Sequence, residues 1–462
     1  MNVLRKISLL FFALIAAAPF LRAAEPTPAR PPNIVVFLAD DLGWADCSVS
    51  GGREVPMPNL DRLAAQGMTL TGAFVASPSC APSRAALLTG LDPMLNGAML
   101  NHSHPRADVR RWPAYLQKLG YEVAAIGKVA HYAQVQEYGF DHASHFKYHQ
   151  DDCIAAAVTW LAKRKSSRPL CLLVGTNWPH VPWPKEPLGD PAQVKLPAKL
   201  VDTPETRLAR ARYLAAVANV DRDWGQIYDT AQEVLGTETL FVFTADHGAQ
   251  FPFGKWNLYD TGVRTPLVVS WPGKIKPRST SAALVSWIDL LPTLLAAAGD
   301  TPPAGLSGQS FLGVLQGTAA QHREQIFLTH SADGKMNTYP MRAVRTARWK
   351  LIRNLAPETE HHTHIDKAPG DAPKYWDTWL AKAKGDPLAA KLVKGYLNRP
   401  TEEFYDLEND PHEERNLIDD PASQPTIGKL RSALATWMAS QGDQGLPTER
   451  LLTLNVPGKK TE

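Results

Sequence analysis

The residues best suited to chemistry begin at Cys80. It opens the run Cys80-Ala81-Pro82-Ser83-Arg84, which continues through Leu87 and Leu88 to Thr89 and Gly90. Pro82 suits the first turn of a helix, where its missing N–H costs nothing, and Gly90 can close one in the left-handed region. Cys80 therefore stands beside a helix N-terminus, where exposed N–H groups favour negative charge. A lone cysteine there has two readings: a buried structural thiol, the commoner case, or a reactive thiolate. The choice rests on what the rest of the chain brings to it.

Four apolar runs bring a good deal. Residues 33–39 are apolar after Asn33, as in a buried strand of a parallel sheet, and lead to Asp40 and Asp41. Two adjacent carboxylates leaving a buried strand are costly unless compensated, which favours a metal over a solvated turn. Residues 121–126 lead to Gly127, Lys128 and, three positions on, His131. Residues 169–176 deliver Pro179 and His180, and residues 239–244 deliver Asp246, His247 and Gly248. Parallel strands carry their C-terminal ends to one edge of a sheet, where open α/β sheets bind ligands. Asp40, Asp41, Lys128, His180, Asp246 and His247 are expected together on that edge.

Helical spacing at 58–66, 80–89, 112–119, 152–165, 203–235 and 287–298, with further strands at 68–75 and 267–271, completes an alternation that predicts an α/β fold. Beyond about residue 340 the pattern changes. An antiparallel pair is expected at 342–346 and 349–353, a strand at 403–407 and a helix at 424–441. Residues 355–400 look irregular, and their cluster of His361, His362 and His364 is expected to be a solvated loop. The expected organisation is a signal peptide at 1–24, a catalytic domain at 25–340 and a C-terminal subdomain at 341–462.

Composition narrows the function. The chain has 462 residues and a formal charge of +3, but Arg5, Lys6 and Arg22 lie in the first 24 residues with no acid beside them. Without them the chain is neutral, which argues against nucleic acid as a partner. Arg5 and Lys6 precede an apolar stretch at 7–20 and small residues near Ala23, the pattern of a cleaved secretory signal. A periplasmic or secreted protein, with no membrane association after cleavage, is expected. With Cys80 set aside, Cys47, Cys153 and Cys171 do not suggest a disulfide framework.

Cys-x-Pro-Ser-Arg followed by an apolar Leu-Thr-Gly helix resembles the signature of type I sulfatases. The resemblance extends, in order, over Asp40-Asp41, Gly127-Lys128 with His131, Pro179-His180, Asp246-His247-Gly248, Gly262-Val263-Arg264-Thr265-Pro266 and the stretch from Phe404 to Leu417. It implies an alkaline-phosphatase-like fold: a large mixed, mostly parallel sheet between helices, and a smaller C-terminal antiparallel sheet plus helix. It also implies that Cys80 is oxidised to formylglycine by a formylglycine-generating or sulfatase-maturating enzyme, and that the substrate is a sulfated saccharide. Ca²⁺ would be held by Asp40, Asp41, Asp246, His247 and the Cys80-derived residue. Arg84 and Lys128 would neutralise charge, His131 would act as a base, and His180 and Lys255 would protonate the leaving group.

The 131 spacing and His247 are similar to the iduronate-2-sulfatase branch, whereas 255–259 and 339–345 are similar to the heparan N-sulfatase branch. The scissile bond is therefore a sulfate ester or an N-sulfate. His102 and His104, following the Cys80 helix, are expected to line the pocket, and Trp178 and Trp183 to pack structurally or stack on a sugar. The alternatives are a phosphonate monoester or phosphodiester hydrolase of the same superfamily, and a non-catalytic glycan-binding relative.

Overall fold

The computed structural model describes residues 31–146, 152–334, 337–367 and 374–454. The expected signal peptide at 1–24 lies outside the described residues. The main sheet has eight strands, in the order His142–Ser144, Glu122–Gly127, Leu170–Gly175, Asn33–Ala39, Thr239–Ala245, Leu267–Ser270, Met68–Leu70 and Ser279–Ser281. Only Leu267–Ser270 runs against its neighbours. The apolar runs at 33–39, 170–175 and 239–245 are buried almost throughout, as strands covered on both faces must be. Helix Pro204–Leu235 begins where Thr203 accepts a hydrogen bond from the Thr206 amide and Pro204 takes the first turn. Its Trp224 packs edge-on against Phe37 and Phe243 of the two central strands.

Register places the strand ends in one row. Ala39 pairs with Ala245, Leu38 with Gly175, and Gly127 with Gly175. The residues that follow therefore emerge along one edge: Asp40 and Asp246 leave adjacent strands about 5 Å apart, and Lys128 leaves the strand on the far side of Leu170–Gly175. Two glycines allow this crowding: a Cβ on Gly127 would lie 2.1 Å from the Gly175 carbonyl oxygen, and one on Gly175 would lie 2.1 Å from that of Lys128.

A second, antiparallel sheet joins Gln325–His330, Met341–Thr346, Trp349–Asn354 and Glu402–Asp406 in that order. Its first strand comes from before residue 340. Helix Gln424–Ser440 covers it, packing Ile427, Leu430 and Leu434 on Val344, Leu351 and Phe404. All four cysteines are free and buried. Among the described residues no helix is long and apolar enough to cross a membrane.

Three expectations need correction. The strand foreseen at 68–75 is two short ones, Met68–Leu70 in the main sheet and Ala73–Phe74 paired with Val285–Ser286. The chain turns at Gly72, which packs on the Ala283 carbonyl too closely for a side chain. Residues 355–400 are not irregular: they hold helices Trp376–Ala383 and Pro387–Leu397, the latter capped by Asp386 through the amides of Leu388 and Ala389. An acid before a proline was the legible signal. Nor is the histidine cluster solvated. His361 is fully buried edge-on to Tyr339 and Tyr396, His362 bonds Asp366, and His364 stacks on Trp256. The three do not form a metal-binding group among the described residues.

Candidate active site

Asp40 and Asp41 would point to opposite sides of the sheet if the strand simply continued. Asp41 instead takes a left-handed conformation, φ 67°, tolerable for aspartate, and its amide donates to Asp246 Oδ1 at 3.0 Å. Both carboxylates thereby reach the same pocket. The oxygens of Asp40, Asp41 and Asp246 lie within 4.8 Å of one another, all buried.

Helix Cys80–Thr89 supplies the next layer, with every residue buried and Gly90 closing it at φ 65°. Cys80 Sγ stands 3.8 Å from Asp40 Oδ1, 3.3 Å from His247 Nε2 and 3.9 Å from Lys128 Nζ. One turn on, Arg84 donates to Asp246 Oδ2 at 2.9 Å, to Asp40 Oδ1 at 3.3 Å and to the Lys128 carbonyl. Ser83 Oγ donates to the Asp246 carbonyl at 2.6 Å, which fastens the helix to the strand end. Lys128 bonds Asp40, and Lys255 spans both oxygens of Asp41 at 2.9 Å. His180 turns Nδ1 to the Val181 carbonyl at 2.7 Å and holds Nε2 3.8 Å from Asp41 Oδ2.

The electrostatics separate the two neighbouring aspartates. Burial disfavours ionising Asp40, but Lys128, His180 and Arg84 outweigh it and hold its carboxyl well below the usual range. At Asp41 burial prevails, helped by the charges of Asp40 and Asp246, and its pKa is raised. Burial also pushes the Cys80 thiol up, so an unmodified Cys80 stays protonated at neutral pH. Burial and the nearby lysines lower His180.

The fold thus gathers Asp40, Asp41, Cys80, Arg84, Lys128, His180, Asp246, His247 and Lys255 at one place. His131 lies beside them, with Lys128, Arg84 and His102 among the charges that act on it. His102 bonds His131 Nε2 through Nδ1 at 2.8 Å. His104 does not join this group: it pairs with Glu137 at 2.9 Å, both side chains about half exposed. Trp183 is packed between Phe251 and Tyr213 and has no face open for a sugar. Asp333 went unforeseen. It lies beyond the strand Gln325–His330 and accepts from Asn101 Nδ2 and Trp256 Nε1, each at 2.9 Å. No local pattern marks it.

Three buried carboxylates with converging oxygens are the donor set of a hard cation. The comparisons with known proteins identify the class of chemistry. The sulfatase family model matches residues 32–300, more than half the chain.

The chain belongs to the sulfatase family.

Sulfatases are sulfuric ester hydrolases. A second model, for the C-terminal part of N-sulphoglucosamine sulphohydrolase, matches residues 247–374, the stretch that carries the heparan N-sulfatase resemblance. The chain is 31% identical over 428 residues to an ulvan-active sulfatase of Formosa agariphila, covering 90% of this chain and 81% of that one. It is 29% identical over 462 residues to human N-sulphoglucosamine sulphohydrolase, covering 88% and 90%. Among solved structures it resembles one bound to its substrate, D-glucosamine-2-N,6-O-disulfate, with a TM-score of 0.69, 20% identity and coverage of 90% and 99%. A phosphonate monoester hydrolase from Silicibacter pomeroyi has a TM-score of 0.68, 20% identity and coverage of 90% and 96%. At that identity the likeness is one of fold, and the fold is alkaline-phosphatase-like.

Proposed function

We propose that this chain is an exported sulfatase that removes sulfate, as ester or N-sulfate, from a sulfated carbohydrate. The observation that carries this is the setting of Cys80: its side chain lies among three carboxylates, Asp40, Asp41 and Asp246, and three cationic groups, Arg84, Lys128 and Lys255, all buried. In this reading Cys80 is converted to formylglycine by a maturating enzyme after translation. The hydrate of that residue offers two hydroxyls on one carbon, one to attack sulfur and one to expel sulfate afterwards. Asp40, Asp41 and Asp246 would hold Ca²⁺, which would polarise the sulfuryl oxygens. His247 borders the same oxygens, although an imidazole suits softer metals better.

The chain's own groups divide the remaining work. Arg84 orients the hydrate and neutralises charge. Lys128 meets the sulfuryl group. His180 and Lys255 both face Asp41, and in this reading they supply the proton needed by the departing sugar oxygen or nitrogen. His131 takes the proton whose loss releases sulfate. In the described site Arg84, Lys128 and Lys255 balance Asp40, Asp41 and Asp246. A bound dication would leave the pocket net positive, which suits an anionic substrate and the sulfate dianion it yields.

The first test is the mass of the Cys80 peptide from protein made in its native host. Conversion lowers it by about 18 Da. An unmodified thiol in fully active protein would overturn the mechanism. Turnover of an aryl sulfate against an aryl phosphodiester tests the phosphodiesterase alternative, and the sulfatase reading expects the sulfate to be the faster.

A further inference from the structure

Outside the carboxylate pocket a second chain of groups joins two buried residues through a half-exposed one. His131 Nε2 faces His102 Nδ1 at 2.8 Å, and His102 Nε2 faces Asp333 Oδ1 at 3.4 Å. The other Asp333 oxygen accepts from Asn101 and Trp256 at 2.9 Å. Asn101 Oδ1 in turn accepts from the Ala81 amide at 3.1 Å, beside Cys80, and Trp256 follows Lys255 in the chain. Asp333 is thus tied to two of the segments that form the pocket. His102 is held at φ 67° to make its contacts, and its side chain is 56% exposed against 5% for Asp333. His131 Nδ1 is buried and has no hydrogen-bond partner among the described residues.

The order of groups dictates the protons. An aspartate can only accept, so His102 donates from Nε2. The neutral His102 ring then accepts at Nδ1 and takes the hydrogen bond of His131 Nε2–H. That leaves the lone pair of His131 at Nδ1, the buried nitrogen without a partner.

We propose that Asp333 and His102 are a proton relay that poises His131 Nδ1 as a base and carries the resulting charge outward. When His131 Nδ1 gains a proton, its Nε2 proton moves to His102 Nδ1. One N–H bond forms and one breaks on His131, and one forms on His102. The positive charge comes to rest on a half-exposed ring against a carboxylate, not on a buried one beside two fixed cations. Return of the proton reverses each step. The proposal rests on the role of His131 stated above. His102 and Asp333 are positioning residues in it, not substrate contacts.

The test uses converted, Ca²⁺-loaded protein, with the Cys80 peptide mass checked in every variant. The charged and titratable groups facing His131 are Lys128, Arg84, His102, Asp333 and Tyr132, and Asp333 itself also faces His364 Nδ1 at 3.8 Å. Asp333→Asn and His102→Gln should lower kcat about 100-fold with KM within twofold. They should also move the acidic limb of the pH–rate profile to lower pH, since the carboxylate that favours the protonated pair is weakened or cut off. Asp333→Glu should restore part of both. Imidazole ¹⁵N spectra of the resting protein should place the His131 proton on Nε2, and Asp333→Asn should redistribute it. A change in KM alone, or an unmoved acidic limb with the His131 proton on Nδ1, would overturn the relay. Failure of the parent reading looks different: His131→Ala would itself keep full activity. If His131→Ala is inactive while both relay variants match wild type, only the relay falls.

Discussion

Two buried charge clusters in this molecule combine acids with lysine and arginine but arrange their acids differently. Around Asp260, every charge alternates with its opposite. Arg345 clasps both Asp260 oxygens at 3.1 and 2.9 Å, and Lys350 bridges Asp260 at 2.6 Å and Glu413 at 2.7 Å. Glu413 also caps the Asp260 amide at 2.7 Å. Arg345 and Lys350 outweigh burial and hold the Asp260 carboxyl far below its usual range, while burial and the Asp260 charge raise Glu413. At the Cys80 pocket three carboxylates instead bring their oxygens within 4.8 Å of one another, and burial again raises one of them, Asp41. A saturated cluster joins the second sheet to the rest of the chain. A cluster with like charges in contact asks for a further cation.

The sharpest way to break this comparison is to remove the group that the strained cluster surrounds. Cys80→Ala should cost more than about 10⁴-fold in sulfatase turnover, by the measure of other lost nucleophiles, while thermal unfolding stays within a few degrees of wild type. Lys350→Met should do the reverse. Stripping a partner from two buried acids is expected to cost about 3–5 kcal/mol in urea unfolding, with kcat per folded molecule unchanged.

Ca²⁺ titration sharpens the contrast further. At 100 times its dissociation constant the ion should stabilise the folded state by about 2.7 kcal/mol, a shift that Asp246→Asn reduces and Lys350→Met leaves intact. Equal shifts in wild type and Asp246→Asn would move the cation away from these carboxylates.

The smallest effect concerns a buried acid that belongs to neither cluster. Asp92 is bonded by Gln441 at 3.3 Å and by no cation among the described residues, and burial raises its pKa to about 6. The folded state therefore holds its proton more tightly than the unfolded chain does. The stability this confers is full below about pH 4 and is lost as pH rises through about 6. Asp92→Asn should accordingly stabilise the protein by about 2–3 kcal/mol at pH 7.5 and by almost nothing at pH 4, as read from urea midpoints.

Much of the site was legible because it follows from periodicity. An apolar run with charged residues at its end reads as a buried strand delivering chemistry, and Asp40, Lys128, His180 and Asp246 each obeyed that rule. The helix after Cys80 was equally plain from Pro82 and Gly90. Lys255 and Arg84 needed the family resemblance, since neither stands at a strand end. The helices within 355–400 were obscured by polar residues around Trp376, Trp379 and Tyr396, whose burial depends on distant partners such as Thr206 and Thr363.

By itself the sequence determined which strands are buried, which residues leave their ends and which motif Cys80 opens, because these are properties of neighbouring residues. Only the tertiary structure decided how those ends combine. Strand register set Asp40, Asp246 and Lys128 in one row, and the left-handed turn at Asp41 swung a second carboxylate to join them. It also sent His104 to the surface and placed Asp333, 231 residues from His102, against its ring. Contacts at such separation are chosen by packing and by the pairing of buried charge, and no local pattern records them.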